Sequence, residues 1–255
     1  MRDESIMSKP KVGFFGLTGC AGDQLAVLNC EDELLGLVDL IDIRDFLMAS
    51  SAVDHEARLD VAFVEGAVLS QRDEDYLRQI RARSDALVAL GTCAVWGGVA
   101  ALDRLHDRGA LLKAVYGDMG RTYDTRAAQA LHELVKVDFA LPGCPIEKHE
   151  FLGAVACLLN GDAPQLPHYP VCAECRFAEN RCLLAQDGKL CLGALTLAGC
   201  HARCTSLGVP CVGCRGPAPD ANFASAAALY EGLGYSREHV ERAMATFAPL
   251  AGATH

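Results

Sequence analysis

Lys11-Val-Gly-Phe-Phe-Gly-Leu-Thr-Gly-Cys-Ala-Gly-Asp23 sets the pattern for the first half of the chain: an apolar run of strand length stops at a glycine-flanked cysteine. The run Lys11 to Leu17 reads as a strand, and the residues from Gln24 to Leu35 read as the helix that follows it. Further runs repeat this grammar. Leu37 to Ile43 reads as a second strand, and Leu59 to Val64 as a third that leads into Glu65-Gly66. The polar stretch Asp73 to Arg83 is helix-forming. Ala86 to Leu90 is a fourth strand, ending at Gly91-Thr92-Cys93, and Val135 to Leu141 a fifth, ending at Pro142-Gly143-Cys144-Pro145. Strands alternating with helices predict an α/β fold built on a doubly wound parallel sheet. Such sheets gather their functional groups beyond the carboxyl ends of the strands, where Cys20, Cys93 and Cys144 all fall.

Outward from that sheet, Asn160 to Pro170 carries Gly161, Pro164, Pro167 and Pro170 and marks a boundary. Two domains are expected, 11–160 and 161–255. The second is short of periodic structure until Asn222, after which Asn222 to Leu233 and Arg237 to Phe247 read as amphipathic helices. Eight of the thirteen cysteines fall in its irregular part, at Cys172, Cys175, Cys182, Cys191, Cys200, Cys204, Cys211 and Cys214. With little apolar surface to bury, such a stretch needs metal bonds to hold it together. No internal repeat or low-complexity tract is present.

Composition narrows the chemistry. Half of the 255 residues are hydrophobic, enough for a sizeable core, and the net charge of -10 argues against a nucleic-acid backbone as partner. No run of 18 apolar residues is present, so no span across a bilayer is expected. Met1 to Lys11 is short and charged, with neither an apolar signal-peptide core nor a twin-arginine pair, and a cytoplasmic location is the expectation. In that reducing compartment a dense cysteine cluster points to metal binding rather than disulfides. Cys30 and Cys157 sit inside helical patterns and read as small apolar residues.

Eight thiolates satisfy two four-iron clusters or two tetrahedral zinc ions. The spacings are C-x2-C-x6-C-x8-C and then C-x3-C-x6-C-x2-C. Zinc sites usually show two tight C-x2-C pairs per ion, whereas each half here has one. The loose spacing, with Gly188, Gly199, Gly208 and Gly213 between the cysteines, favours the bulkier iron–sulfur cluster and leaves zinc as the alternative.

Taken together, Leu17-Thr18-Gly19-Cys20, Gly91-Thr92-Cys93-Ala94, Pro142-Gly143-Cys144-Pro145 and the Cys172–Cys214 array resemble the small subunit of a [NiFe] hydrogenase. The likeness is to the cytoplasmic, cofactor-coupled group that includes the coenzyme F420-reducing and heterodisulfide-reductase-linked enzymes, and it runs from Lys11 to about Pro217. The resemblance implies a flavodoxin-like first domain carrying a proximal cluster, then a segment carrying medial and distal clusters, three [4Fe-4S] clusters in all. The family holds its proximal cluster with a C-x2-C pair, a Gly-x-Cys and a Pro-Gly-Cys-Pro. Cys20, Cys93 and Cys144 match three of these positions, and Asp23 occupies the fourth. Asp23 is therefore the expected fourth ligand, harder than a thiolate; the competing reading is a solvated or N-capping aspartate. For the distal cluster the resemblance implies Cys172, where many relatives have histidine, with Cys175, Cys182 and Cys191. For the medial cluster it implies Cys200, Cys204, Cys211 and Cys214. Many relatives have proline in place of Cys204 and hold a three-iron cluster; with cysteine, a four-iron cluster of lower potential is implied. A low-potential chain suits a nicotinamide, deazaflavin or ferredoxin acceptor.

The function implied is electron transfer. Hydrogen would be split in a partner large subunit that holds nickel and iron, so no catalytic residue is expected on this chain. Electrons would leave to a flavin- or iron–sulfur-containing partner. A quinone-oxidoreductase subunit related to complex I shares the sheet and the Pro-Gly-Cys-Pro loop but lacks the eight-cysteine segment. A zinc-binding interaction module is a further alternative. A flavodoxin-like flavoprotein is disfavoured, because the Cys20 loop lacks a Ser/Thr-rich phosphate turn. Glu65 and Glu147 read either as loop residues facing the large subunit or as solvated glutamates. His149 and His168 read as surface groups or neighbours of the ligands, Trp96 as a cover for the proximal cluster or as core, and Arg215 as a hydrogen-bond donor near the medial cluster or as a solvent-facing charge.

Overall fold

The computed structural model describes residues 9–30, 33, 36, 39–122 and 124–248. Five strands, β1 (Lys11–Gly16), β2 (Asp42–Phe46), β3 (Leu59–Glu65), β4 (Ser84–Leu90) and β5 (Phe139–Leu141), form one parallel sheet in the order β2-β1-β3-β4-β5. This is the doubly wound order, with its reversal between β1 and β3 opening a crevice at the carboxyl edge. Both faces of the sheet are covered. Phe14, Phe63 and Val88 point to one face, where they meet Val27 of α1 (Gly22–Leu28) and Phe151, Ala154 and Val155 of a later helix, Lys148–Leu159. Phe15, Ala62, Val64, Leu87 and Ala89 alternate to the other, against Leu77 and Ile80 of α2 (Gln71–Ala82). That two-residue alternation within near-continuous apolar runs is what a strand buried on both sides requires. The start of α2 is fixed by a capping box: Ser70 Oγ accepts from Asp73 N at 3.1 Å, and Asp73 Oδ2 from Ser70 N at 3.1 Å.

Several boundaries differ from expectation. The second strand starts at Asp42 rather than Leu37, with Asp39 and Leu40 in a turn; positions 37 and 38 lie outside the described residues. The first helix covers Gly22–Leu28, and of its expected end, positions 31, 32, 34 and 35 also lie outside them. The fifth strand keeps only its last three residues. Asp138 Oδ2 accepts the Leu87 N–H at 2.9 Å, so a side chain takes the place of the next ladder bond. Between β4 and β5 the chain also forms α3 (Gly91–Trp96), α4 (Arg108–Tyr116) and three 3-10 segments, Gly98–Leu105, Gly117–Thr122 and Leu131–Glu133. Most of this excursion is not anticipated from the sequence, and α4 buries none of its side chains.

After α5 (Lys148–Leu159), the cysteine-rich segment is more helical than expected. It holds α6 (Val171–Phe177), α7 (Leu183–Asp187), the 3-10 turn Leu192–Ala194 and α8 (Arg203–Ser206). Two closing helices, α9 (Phe223–Gly232) and α10 (Arg237–Ala245), pack Tyr230 and Val240 against Leu192 and Leu195. Tyr230 donates its hydroxyl to the Cys191 carbonyl at 2.6 Å, which fastens the closing helices to the cysteine loops. No described helix is long and apolar enough to cross a membrane.

Candidate metal centres

Cys20 and Cys144 lie in loops beyond the carboxyl ends of β1 and β5, and Cys93 in the short helix α3 beyond β4, at the edge the strand pattern predicts. Asp23 joins them. It is 5 % exposed, and its Oδ1 accepts from the Ile146 N–H at 2.8 Å, two residues past Cys144. The N-cap of α1 is Ala21 with no side-chain cap, so the solvated or N-capping reading of Asp23 does not hold. Glycines make the room. A Cβ on Gly91 (φ +82°) would overlap the Asp23 carboxylate, and one on Gly98 (φ +59°) would lie 2.6 Å from Cys93 Sγ. Glu65, at the end of β3, accepts from Asp23 N at 3.3 Å and Gln24 N at 2.9 Å, which holds the Cys20–Asp23 loop over the sheet. It is buried, so its solvated reading is corrected.

The electrostatics of this group is that of crowded acids. Burial, then Glu65, push the Asp23 carboxyl up to about 7, against the pull of the Ile146 hydrogen bond. Burial followed by Cys144, Asp23, Cys20 and Glu65 pushes the Cys93 thiol up to about 12. Cys144 is raised by burial, Asp23, Cys20 and Glu65. Ionising these groups together demands a nearby cation.

The eight downstream cysteines fall into two sets. Cys172, pushed up to about 11 by burial, next feels Cys191, Cys175 and Cys182. Gly193 lies beside two of these sulfurs: a Cβ there would be in ordinary contact, 3.5 Å from Cys172 Sγ and 3.8 Å from Cys191 Sγ. Cys182 Sγ accepts from Ala185 N at 3.4 Å at the start of α7. Cys200, Cys204, Cys211 and Cys214 line one cavity of about 110 Å³, which Cys144, Glu147 and Arg215 also line. Cys214 is pushed up to about 11 by burial and then by Cys200, Cys204 and Cys144, with Arg215 opposing.

Neighbouring sets adjoin one another, since Cys144 lines the cavity of the second set. Cys144 of the first set acts on Cys214 of the next, and Cys211 N donates to Cys191 Sγ at 3.3 Å in the third. Thr92, beside Cys93, donates its hydroxyl to the Cys214 carbonyl at 2.6 Å and accepts from Gly143 N at 3.0 Å. Among the described residues no three His, Cys, Asp or Glu side chains close on a single point as around one metal ion. Three groups of four soft or mixed donors, ranging from buried to exposed and crowded together, fit polynuclear iron–sulfur groups held by deprotonated ligands.

The remaining candidates sort clearly. Arg215 does not face solvent: it is 1 % exposed and pairs with Glu150 through Nη2, at 2.8 and 2.7 Å. Glu147 is buried and pairs with Arg203 at 2.5 Å. His149 is exposed and stacks on His201 with centroids 4.3 Å apart, and His168 lies beside Tyr169. Trp96 packs under Gly216, joining α3 to the segment that follows Cys214. Cys30 is buried and donates to the Ala26 carbonyl, as a helical core residue would. Sequence reasoning missed Glu174, which lies between Cys172 and Cys175. It accepts from Gly199 N at 2.8 Å and Ala202 N at 3.2 Å and so shapes the Cys200 turn. A carboxylate inside a C-x2-C pair was the available signal.

The family model described as NADH ubiquinone oxidoreductase, 20 kDa subunit, matches residues 20–158. The delta subunit of sulfhydrogenase 2 from Pyrococcus furiosus is 38% identical over 238 residues, 93% of this chain and 99% of that protein. A subunit of the F420-non-reducing hydrogenase vhu of Methanocaldococcus jannaschii is 34% identical over 235 residues, 81% of each chain. Among solved structures, a chain of an NAD+-reducing [NiFe]-hydrogenase in the H2-reduced state superposes with a TM-score of 0.54 at 27% identity, covering 63% of this chain and 96% of that one. A chain of the Dm. baculatum [NiFeSe]-hydrogenase shares the fold at a TM-score of 0.56 and 18% identity, over 83% of this chain and 96% of that one.

Proposed function

The chain belongs to the NADH ubiquinone oxidoreductase 20 kDa subunit family, among the small subunits of [NiFe] hydrogenases, and on that footing we propose that it relays electrons between the hydrogen-splitting site of a large subunit and a redox partner. The observation that carries the proposal is the adjacency of the sets: Cys144 lines the cavity of Cys200, Cys204, Cys211 and Cys214, and Cys211 N donates to Cys191 Sγ, so three four-donor sets follow one another end to end. Cys20, Asp23, Cys93 and Cys144 would hold a proximal [4Fe-4S] cluster. Cys200, Cys204, Cys211 and Cys214 would hold the medial one, and Cys172, Cys175, Cys182 and Cys191 the distal. Bound clusters supply one-electron redox chemistry, and their potentials follow ligand charge, hydrogen bonds to sulfur and exposure.

The chain's own residues do the positioning. Glu65 and Gly91 shape the proximal pocket, and Thr92 spans from it to the medial turn. Tyr230 holds the distal loop. The division into a sheet domain, 11–160, and a cluster segment, 161–255, belongs to the same reading. So do a large subunit seated over the proximal edge, an electron-accepting flavin or iron–sulfur partner, and a cytoplasmic setting. Likeness to the sulfhydrogenase subunit extends across the eight-cysteine segment, while the family model ends at residue 158, and this favours a hydrogenase over a complex I-type subunit.

Iron and acid-labile sulfide per chain, measured on anaerobically co-purified complex alongside low-temperature EPR, test the proposal. About twelve of each are expected for three four-iron clusters. About eight would remove the proximal cluster and the relay with it, and zinc in place of iron would overturn the reading altogether.

A further inference from the structure

Arg215 follows Cys214 directly, and its guanidinium is buried in full. Nε donates to the Ala198 carbonyl at 2.9 Å and the Leu197 carbonyl at 3.2 Å. Nη2 faces both oxygens of Glu150. Nη1 is buried with no hydrogen-bond partner. A guanidinium has five donors, and leaving the two on Nη1 dry and unpaired is costly for a charged group. The position is enforced from above as well. Gly199 passes so close that a Cβ there would collide with Arg215 Nη2 and with the Glu150 carboxylate, and Cys200 comes next along the chain. The guanidinium is thus wedged between the turn of Cys200 and the turn of Cys214. It lines the 110 Å³ cavity that Cys200, Cys204, Cys211 and Cys214 share.

We propose that Arg215 is a positioning residue for the medial cluster: its Nη1 donates to the cluster's sulfur, and its charge, held in place by Glu150, raises the medial potential above that of the bare four-thiolate site. This rests on the reading of Cys200, Cys204, Cys211 and Cys214 as medial ligands. The physics is direct. Reduction adds negative charge to the cluster, and a fixed positive charge and N–H dipoles beside it stabilise the reduced form. Glu150 serves as the anchor and also as the brake, because its carboxylate partly cancels the field of the guanidinium.

The test is an EPR-monitored redox titration of the co-purified complex. Arg215→Met should move the medial midpoint to a more negative potential and leave the proximal and distal midpoints in place. Glu150→Gln, which releases the brake, should move the medial midpoint the opposite way. A loosened fold would not produce shifts of opposite sign confined to one cluster. Wild-type iron of about twelve per chain with unmoved medial midpoints in both variants overturns the role of Arg215 and leaves the relay standing, whereas a low wild-type iron count overturns the relay itself. Should neither variant assemble, native complex carrying 15N-guanidino arginine decides the matter. The medial signal must then show a 15N coupling, and its absence sinks the proposal.

Discussion

The Asp23 carboxylate accepts a buried hydrogen bond from the Ile146 N–H at 2.8 Å, so the first turn of α1, after the first strand, is bonded to the loop after the last. One oxygen of Asp23 is thereby fixed among three cysteines that arrive from separate strands. If it is the fourth proximal ligand, Asp23→Ala should cost one to four of about twelve irons per chain. Asp23→Cys should keep the full count and change the proximal midpoint and EPR line shape. An unchanged titration and spectrum in Asp23→Cys would count against ligation.

Gly91 tests the same pocket from the other side. Its φ of +82° and the absence of room for a Cβ against Asp23 make Gly91→Ala a double insult, strained backbone and an overlapped carboxylate. Proximal iron should be lost while the other two signals persist. Gly153, in the middle of α5 with open space where a Cβ would sit, is the control. Gly153→Ala should be neutral or stabilise by about 0.5–1 kcal/mol, read as a small rise in the thermal midpoint.

Most of the sheet was legible because strands buried on both faces are written as short apolar runs, and their ends carried the glycine-flanked cysteines. The second strand is misplaced by sequence because Leu37 to Ile43 is apolar enough to pass for a strand, although pairing with β1 begins only at Asp42. Val135 and Val137 read as strand but pack against the face that α2 covers, and the Asp138 carboxylate replaces a ladder bond there. At the candidate centres, the gathering of Cys20, Cys93 and Cys144 at the carboxyl edge of the sheet was legible from the strand pattern, while the division of ligands among clusters comes from spacing and resemblance and belongs to the proposal. The supports were not legible. For Glu65 and Arg215 the sequence left a solvated reading open beside a functional one, and Glu150 carried no signal at all; only their tertiary partners decide. Within the excursion between β4 and β5, α4 has no buried side chain and therefore left no periodic signal.

Asp138 predicts an acid limb in the stability of the protein. Burial raises its carboxyl, but Lys136, the Leu87 N–H and Arg81 together outweigh that and hold it below the usual carboxylate range. A depressed folded value means that the ionised form is the one bonded in the fold. Its contribution is complete above the ordinary carboxylate pKa of about 4 and is lost as pH falls through the lowered value. The thermal midpoint of the complex should therefore fall as pH drops below about 4. Asp138→Asn should flatten that part of the curve and lower the midpoint at neutral pH, since Arg81 loses its charged partner at 2.6 Å.

Thr92 bonds the sheet edge to the cluster segment through one hydroxyl, which donates to Cys214 and accepts from Gly143. Thr92→Val keeps the shape and strands two buried backbone groups, at a cost of about 1–3 kcal/mol each. Faster release of iron under chelator challenge is expected, with Thr92→Ser close to the wild type. Equal release rates in all three proteins would mean that the contact is not a support.

Cys204 distinguishes a four-iron from a three-iron medial site. It lies in α8 and lines the shared cavity with Cys200, Cys211 and Cys214, and its thiol is one of those that raise Cys214. Replacing it by proline removes one thiolate and leaves three. It also removes the Cys204 backbone N–H, which lies in the first turn of α8, where helical N–H groups have no partner within the helix and proline is tolerated. Cys204→Pro should therefore fold, lose one of about twelve irons per chain and shift the medial midpoint upward, because one anionic ligand fewer surrounds the cluster. The oxidised protein should then show the EPR signal of a three-iron cluster, which also labels the medial site for every other titration. Loss of four irons would mean that the remaining three thiolates cannot hold a cluster, and an unchanged count would remove Cys204 from the ligand set.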